Sequence, residues 1–206
     1  MLTITDSSIP EKKNKLLGAS LKLMLSKGYY ATTVDDICTE AGVTKGSFFH
    51  YFKNKEDIGK ATLDHFERLQ IHLLTSRESW DQRAEPWEQL NGYLDFFVRL
   101  AQNPEAPESC LTALMTQELA TSHSEFRALC QDKFTSNAKP LKDILDKVIE
   151  LYQPQYPIDS QQLADHFLAV YQGSLILAKA RQDRTVLVQN VEHFRAYLST
   201  LFHRGN

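Results

Sequence analysis

The sequence predicts an all-helical chain of about nine helices. Three observations carry this. Apolar residues recur at three- and four-residue spacing along most of the 206 residues. No strand-like alternation of useful length, no glycine-rich phosphate loop and no low-complexity segment interrupts them. Residues that start helices (Thr33, Thr44, Asn54, Pro86, Asp159) and residues that stop them (Gly28, Gly42, Pro154, Pro157) fall at the ends of the periodic segments.

Residues 1–9 read as a flexible arm, and Pro10 opens a helix over about 10–27 with Leu17, Leu21 and Met24 on one side and Leu16 and Leu23 beside them. Lys12, Lys13 and Lys15 at its start are placed to reach phosphates or simply to be solvated. Thr33 with Asp36 three residues on is a capping box, in which side chains satisfy the unpaired amides of a first helical turn. The helix it starts carries one stripe, Val34, Ile37 and Ala41, and Gly42 supplies the permissive backbone of a sharp turn. Thr44 then caps a helix from Lys45 to about Tyr51. Phe48 and Phe52, with Val43, face inward and leave Lys45, Ser47, His50 and Tyr51 outside. Two short helices joined by a glycine turn read as a helix-turn-helix, whose second helix enters the major groove of DNA.

From Thr44 to Lys55 there are three lysines and no acid, although the whole chain has a formal charge of −3. Residues 1–60 hold nine basic against seven acidic side chains, and the remaining 146 hold 14 against 19. The N-terminal part is the side that tolerates a polyanion. Thr33, Thr44 and Lys55 are placed as phosphate clamps, Gly46 permits close approach of the helix backbone, and base reading falls to Lys45, Ser47, His50 and Tyr51. The plain alternative is a short helical hairpin with a solvated basic face.

The stretch from Leu16 to Lys55 closely resembles the DNA-binding domain of the TetR family of transcriptional regulators. The resemblance rests on Leu16-Leu17, Gly28-Tyr29, Thr32-Thr33, Ile37, Ala41-Gly42-Val43, Gly46, Tyr51-Phe52 and Asn54-Lys55-Glu56. There are two departures: Phe49 stands where the family usually has a phosphate-contacting Tyr, and Ser20 replaces a usual Ala. The resemblance implies a helix-turn-helix head over residues 1–53 and a helical effector-binding and dimerisation domain over 54–206. It further implies a repressor released from a palindromic double-stranded DNA operator by a small-molecule or electrophile effector.

Asn54 with Asp57 caps a fourth helix running without a Pro break through Phe66 and Leu69 towards Trp80; in the family this helix links the head to the effector domain. Pro86 starts a helix bearing Trp87, Leu90, Leu94 and Phe97, and Asn103 to Pro107 form a loop. A helix follows over about Ser109 to Ala120. Ser122 with Glu125 reads as a capping box for a long helix reaching Tyr152, and Asp159 caps the next. The last two helices each carry a seam, Leu163, Phe167, Val170, Ser174, Leu177 and Arg181 on one and Leu187, Val191, Phe194, Leu198 and Leu201 on the other. Periodicity alone is satisfied by an intramolecular core. The resemblance implies instead a homodimer built on these helices, with Tyr171, Ile176 and Phe202 flanking the seam.

Candidates for an effector pocket are Trp87, Tyr93, Phe97, Cys110, Met115, His166, Tyr171 and Lys179. CLTALMTQELA resembles TetR-like regulators that sense electrophiles or oxidants through a cysteine, here Cys110, with Lys179 in a helix able to pack nearby. Cys110 also reads as a small buried hydrophobe. Two other classes compete: a small helical enzyme using Cys110 as nucleophile, which no local Cys-His pattern supports, and a helical interaction module. The three cysteines form neither a disulfide framework nor a metal set, and no metal or cofactor is expected. MLTITDSSIP lacks the basic and apolar regions of a secretory signal, and the uncharged run Phe167 to Ala178 is too short to span a membrane. A cytoplasmic location is expected.

Overall fold

The computed structural model describes residues 9–76, 85–154 and 156–204, which hold nine helices and no strand. They are α1 (Glu11–Lys27), α2 (Val34–Ala41), α3 (Lys45–Tyr51), α4 (Lys55–Ser76), α5 (Pro86–Gln102), α6 (Leu111–Leu119), α7 (Ser124–Tyr152), α8 (Ser160–Arg181) and α9 (Thr185–Leu201). The arm expected over residues 1–9 lies, up to residue 8, outside the described residues. So does the end of the fourth helix beyond residue 76. Among the described residues no helix is long and apolar enough to cross a membrane.

Contacts divide the chain into two compact units. One comprises the chain up to Leu73 together with Ser109–Lys133, and the other Leu74–Glu108 with Phe134 onward. The first unit therefore extends well past the first 53 residues. It takes in most of α4, all of α6 and the start of α7.

In the first unit α1 covers the backs of α2 and α3, and Leu16, Leu17, Met24, Ile37 and Phe48 are almost wholly buried between them. Burying side chains of this size contributes about 1.5–3 kcal/mol each, which two helices of eight and seven residues need in order to stand at all. Ser20 is fully buried, and its hydroxyl accepts from Thr62 Oγ1 at 2.9 Å, so the departure from Ala is matched by a partner on α4. Lys133 of α7 is buried with its amine 2.6 Å from both Asp64 and Glu67 of α4, an ion triad that ties the two helices.

The caps form largely as read. Thr33 accepts from the Asp36 N–H while Asp36 accepts from the Thr33 N–H. Thr44 accepts from Ser47, Asn54 from Asp57 and Asp159 from Gln162. The capping box expected at Ser122 and Glu125 does not form. The Ser122 hydroxyl pairs with Tyr30 and His123, and Glu125 pairs with Lys60. Pro140 lies inside α7, where it withholds one backbone donor from the preceding turn.

In the second unit α9 packs along both α8 and α5. Arg184 donates to the carbonyls of Leu100, Ala101 and Ala106 and so caps the end of α5. Arg195 of α9 reaches Asn91 and Asp95 of α5. This packing already accounts for most of the expected seam: Leu163, Phe167, Ser174, Leu187, Val191, Phe194 and Leu198 are buried within a single chain. Val170 and Leu201 are half-buried, and only Leu177 of the nominated ten is exposed. The a/d spacing reports the faces on which α5, α8 and α9 meet one another within the chain. Of the residues expected to flank the seam, Phe202 is buried within the chain against Trp87, Tyr171 is half-buried and Ile176 is exposed.

Two outcomes follow. Gly42 has φ 64° with open space where a Cβ would sit, so its strain is conformational and not steric. Gly42→Ala should lower the unfolding free energy by about 1–2 kcal/mol in urea titrations, and Gly42→Asn by less. Asp36 is held down at about 2, first by its bond from Lys27 and then by Thr33. A carboxylate depressed in the folded state contributes stability above the ordinary aspartate range and loses it as pH falls toward 2. Asp36→Asn should therefore lose less stability than the unaltered chain between pH 5 and 2.5, measured by urea midpoints at both.

Candidate nucleic-acid interface

The turn between α2 and α3 is built from three backbone facts. Gly42 adopts the left-handed conformation, its N–H donates to the Thr39 carbonyl at 3.2 Å, and the Val43 N–H donates to the Cys38 carbonyl at 3.0 Å. This is the Schellman arrangement, which closes a helix and turns the chain at once. Thr44, in extended conformation, then caps α3. Phe48 is fully buried and packs edge-on to Phe49 and tilted on Phe52.

With Phe48 inward, helical geometry puts Gly46 and His50 on the opposite face of α3, flanked by Lys45 and Phe49 on one side and Ser47 and Tyr51 on the other. Burial agrees: Lys45, Gly46, Phe49 and His50 are exposed, and Ser47 and Tyr51 half-buried. His50 and Tyr51 stack edge to face at 4.7 Å. Thr33 and Thr44 are exposed at the two helix starts, each hydroxyl oxygen accepting a cap bond while its own proton remains to donate. The residues nominated on α3 thus lie on its outward arc, Thr33 and Thr44 are exposed at the helix starts, and one nominated residue is placed differently.

That residue is Lys55. Its ammonium folds back on the α1–α2 loop, donating to the carbonyls of Tyr29 at 3.2 Å and Tyr30 at 3.4 Å and lying 4.4 Å from the Tyr29 ring centre. Burial lowers its pKa. A lysine whose donors are directed at main-chain oxygens is an internal brace, so the phosphate-clamp role expected for it is not what this geometry provides. Lys45 is exposed but paired, its amine 2.8 Å from Asp35 Oδ1, and the bond to Asp35 raises its pKa. The residue that sequence reasoning passed over is Phe49, 57% exposed on the same surface. Its departure from the family Tyr was the available clue.

The residues nominated for an effector separate. Cys110 and Met115 belong to the first unit, both buried, Cys110 at the start of α6 with 6% exposure and no side-chain cap bond. Trp87, Phe97, Tyr171 and Lys179 belong to the second. Phe97 and Tyr171 come together with ring centres 4.8 Å apart, beside Tyr93 and Phe167. Trp87 instead meets Tyr152 and Phe202, and Lys179 is exposed. His166 lies exposed, edge-on to Phe194 and Tyr197.

Comparison with known proteins matches residues 16–62 to the family model of bacterial regulatory proteins, tetR family. Residues 86–194 match that of the tetracyclin repressor-like C-terminal domain. The chain belongs to the TetR family. A transcriptional regulator of the helix-turn-helix type from the lacX 3′ region of Lactococcus lactis is 30% identical over 87% of this chain and 89% of its own. The transcriptional repressor DhaR of a Mycobacterium species is 25% identical over 86% of this chain and 87% of its own. The crystal structure of a regulatory protein TetR from Rhodobacter sphaeroides superposes with a TM-score of 0.77 at 25% identity, covering 90% of this chain and 97% of the other. This TetR-family chain is a DNA-binding transcriptional regulator, and its family membership sets aside the enzymatic reading built on Cys110.

Because Asp35 pairs with Lys45 beside the outward arc of α3, Asp35→Asn should raise affinity for random duplex several-fold at low salt and steepen the dependence of log affinity on log salt by about 0.9, as a Lys45 with no matching base to read settles on one further phosphate. Fluorescence anisotropy across a salt series reads both. An unchanged slope would show that Lys45 makes no phosphate contact.

Proposed function

We propose that the chain is a homodimeric repressor that holds two heads on a palindromic operator in the cytoplasm and is released by a small-molecule effector. The observation that carries the dimer is the surface left open in the second unit: Ile176 is 59% exposed, Leu177 43% and Tyr197 44%, with Ala169, Ala180 and Ala196 exposed along the same two helices. Large apolar side chains left exposed along two neighbouring helices suit a second copy of α8 and α9, completing a four-helix bundle. A two-fold pair would present two α3 helices to two half-sites, which supplies the affinity one seven-residue helix lacks.

Thr33, Thr44 and Gly46 are the backbone contacts in this reading, and Lys45, Ser47, His50 and Tyr51 the base contacts, joined by Phe49, whose ring suits a thymine methyl group. The half-buried pair Phe97 and Tyr171 supports an effector with an apolar or aromatic body. Coupling between effector and operator is reciprocal, each weakening the other by the same factor.

Light scattering on the chain alone and sequencing of bound fragments from a random genomic library test the proposal together. A dimer and a symmetric consensus are expected; a monomer, or fragments with no shared symmetric site, would sink it. Ile176→Glu combined with Tyr197→Glu should yield monomers whose operator affinity falls about 100-fold, since binding through two linked sites is lost.

A further inference from the structure

The loop between α1 and α2 is held from both faces of its peptide groups. The N–H of Tyr29 donates to Oε1 of Glu118 at 3.1 Å and the N–H of Tyr30 to Oε2 at 2.9 Å, while the carbonyls of the same two residues accept from Lys55. Glu118 comes from α6 and Lys55 from the start of α4. Two adjacent amides pointing the same way need two acceptors at carboxylate spacing, and a carboxylate supplies both. Gly28 fits the same arrangement: φ is 83°, and a Cβ there would overlap Oε1 of Glu118. The Tyr30 hydroxyl lies 3.3 Å from Ser122 Oγ, just beyond α6, as a second tie on the same side. At the far end of the loop Thr32 is fully buried, and Thr33 begins α2.

We propose that Glu118 is a positioning residue for DNA binding: from α6 it fixes the loop that sets the start of α2, and with it the angle at which the α2–α3 pair is presented. Helices of eight and seven residues do not orient themselves. Their entry point is tied to a residue 88 positions or more along the chain, so the head takes its bearing from α6 as well as from its own apolar core. A displacement of α6 by part of a turn breaks both carboxylate bonds together, which makes Glu118 the point where a change in α6 reaches the DNA surface. This assignment rests on the operator-binding reading above, and the test separates the two.

The unaltered dimer is first used to select its duplex from genomic fragments. Glu118→Ala and Glu118→Gln are then compared with it by anisotropy on that duplex and by amide hydrogen exchange. Glu118→Ala should speed exchange at Tyr29 and Tyr30 while leaving Phe48 protected, and should weaken the selected duplex about tenfold. Glu118→Gln, which keeps one acceptor, should fall between. Lys133→Met, which weakens the same unit away from the loop, serves as the stability control and should lose far less at the operator for the same loss of unfolding free energy. The proposal is overturned if the unaltered chain binds its duplex and both Glu118 variants bind within twofold of it, or if the two amides exchange at unaltered rates. It is equally overturned if Lys133→Met costs the operator as much as Glu118→Ala. Failure of the unaltered chain to select any duplex would overturn the operator reading itself, and this assignment with it.

Discussion

A single residue in left-handed conformation decides whether this chain has a DNA-reading surface at all. Gly42 ends α2, turns the backbone and delivers Thr44 as the cap of α3, all through two main-chain hydrogen bonds. If that turn opens, Phe48 leaves the head core and the outward arc of Gly46, His50, Lys45 and Phe49 loses its fixed direction. The apolar packing of α1 against α2 and α3 supplies the energy, but the turn supplies the angle. A recognition helix needs the second as much as the first.

Local chemistry was legible in the sequence, and tertiary commitment was not. Thr33, Thr44, Asn54 and Asp159 all cap as expected, because a cap is an interaction within four residues and its partners are written beside it. The glycine turn and the buried Phe48 follow from the same short range. The bonds that Lys55 makes in the fold were not legible, because its partners, the carbonyls of Tyr29 and Tyr30, lie 26 and 25 residues away. The seam on α8 and α9 is a related case. Heptad-like spacing records that a face is buried but not which element buries it, and here α5 and the neighbouring helix do so within the chain. Glu118 gave no sequence signal whatever. Its role is visible only in the fold, where its carboxylate accepts from the amides of Tyr29 and Tyr30 and takes the space a Cβ at Gly28 would need.

The two charged residues that hold the α1–α2 loop illustrate a broader feature of the head. A charge count from the sequence treats each lysine as available to a polyanion, yet many of the head's lysines are committed: Lys22 to Glu40, Lys27 to Asp36, Lys60 to Glu56 and Glu125, and Lys55 to main-chain oxygens. Exposed pairs of this kind add little to stability. Their effect is on how many ammonium groups stand free to close on a phosphate, which the balance of nine lysines against seven acids does not reveal.

The pairing of Lys45 with Asp35 at the working surface has a consequence for how this regulator travels. A head that meets every stretch of chromosome with its lysines already half-satisfied releases few counterions on arrival, so its stay on an arbitrary sequence is brief. In the operator-binding reading proposed above, breaking the internal pair brings a net gain only where the groove offers His50, Phe49 and their neighbours something to hold. On that reading Asp35 shortens each pause in the search and leaves the length of the final residence to the bases.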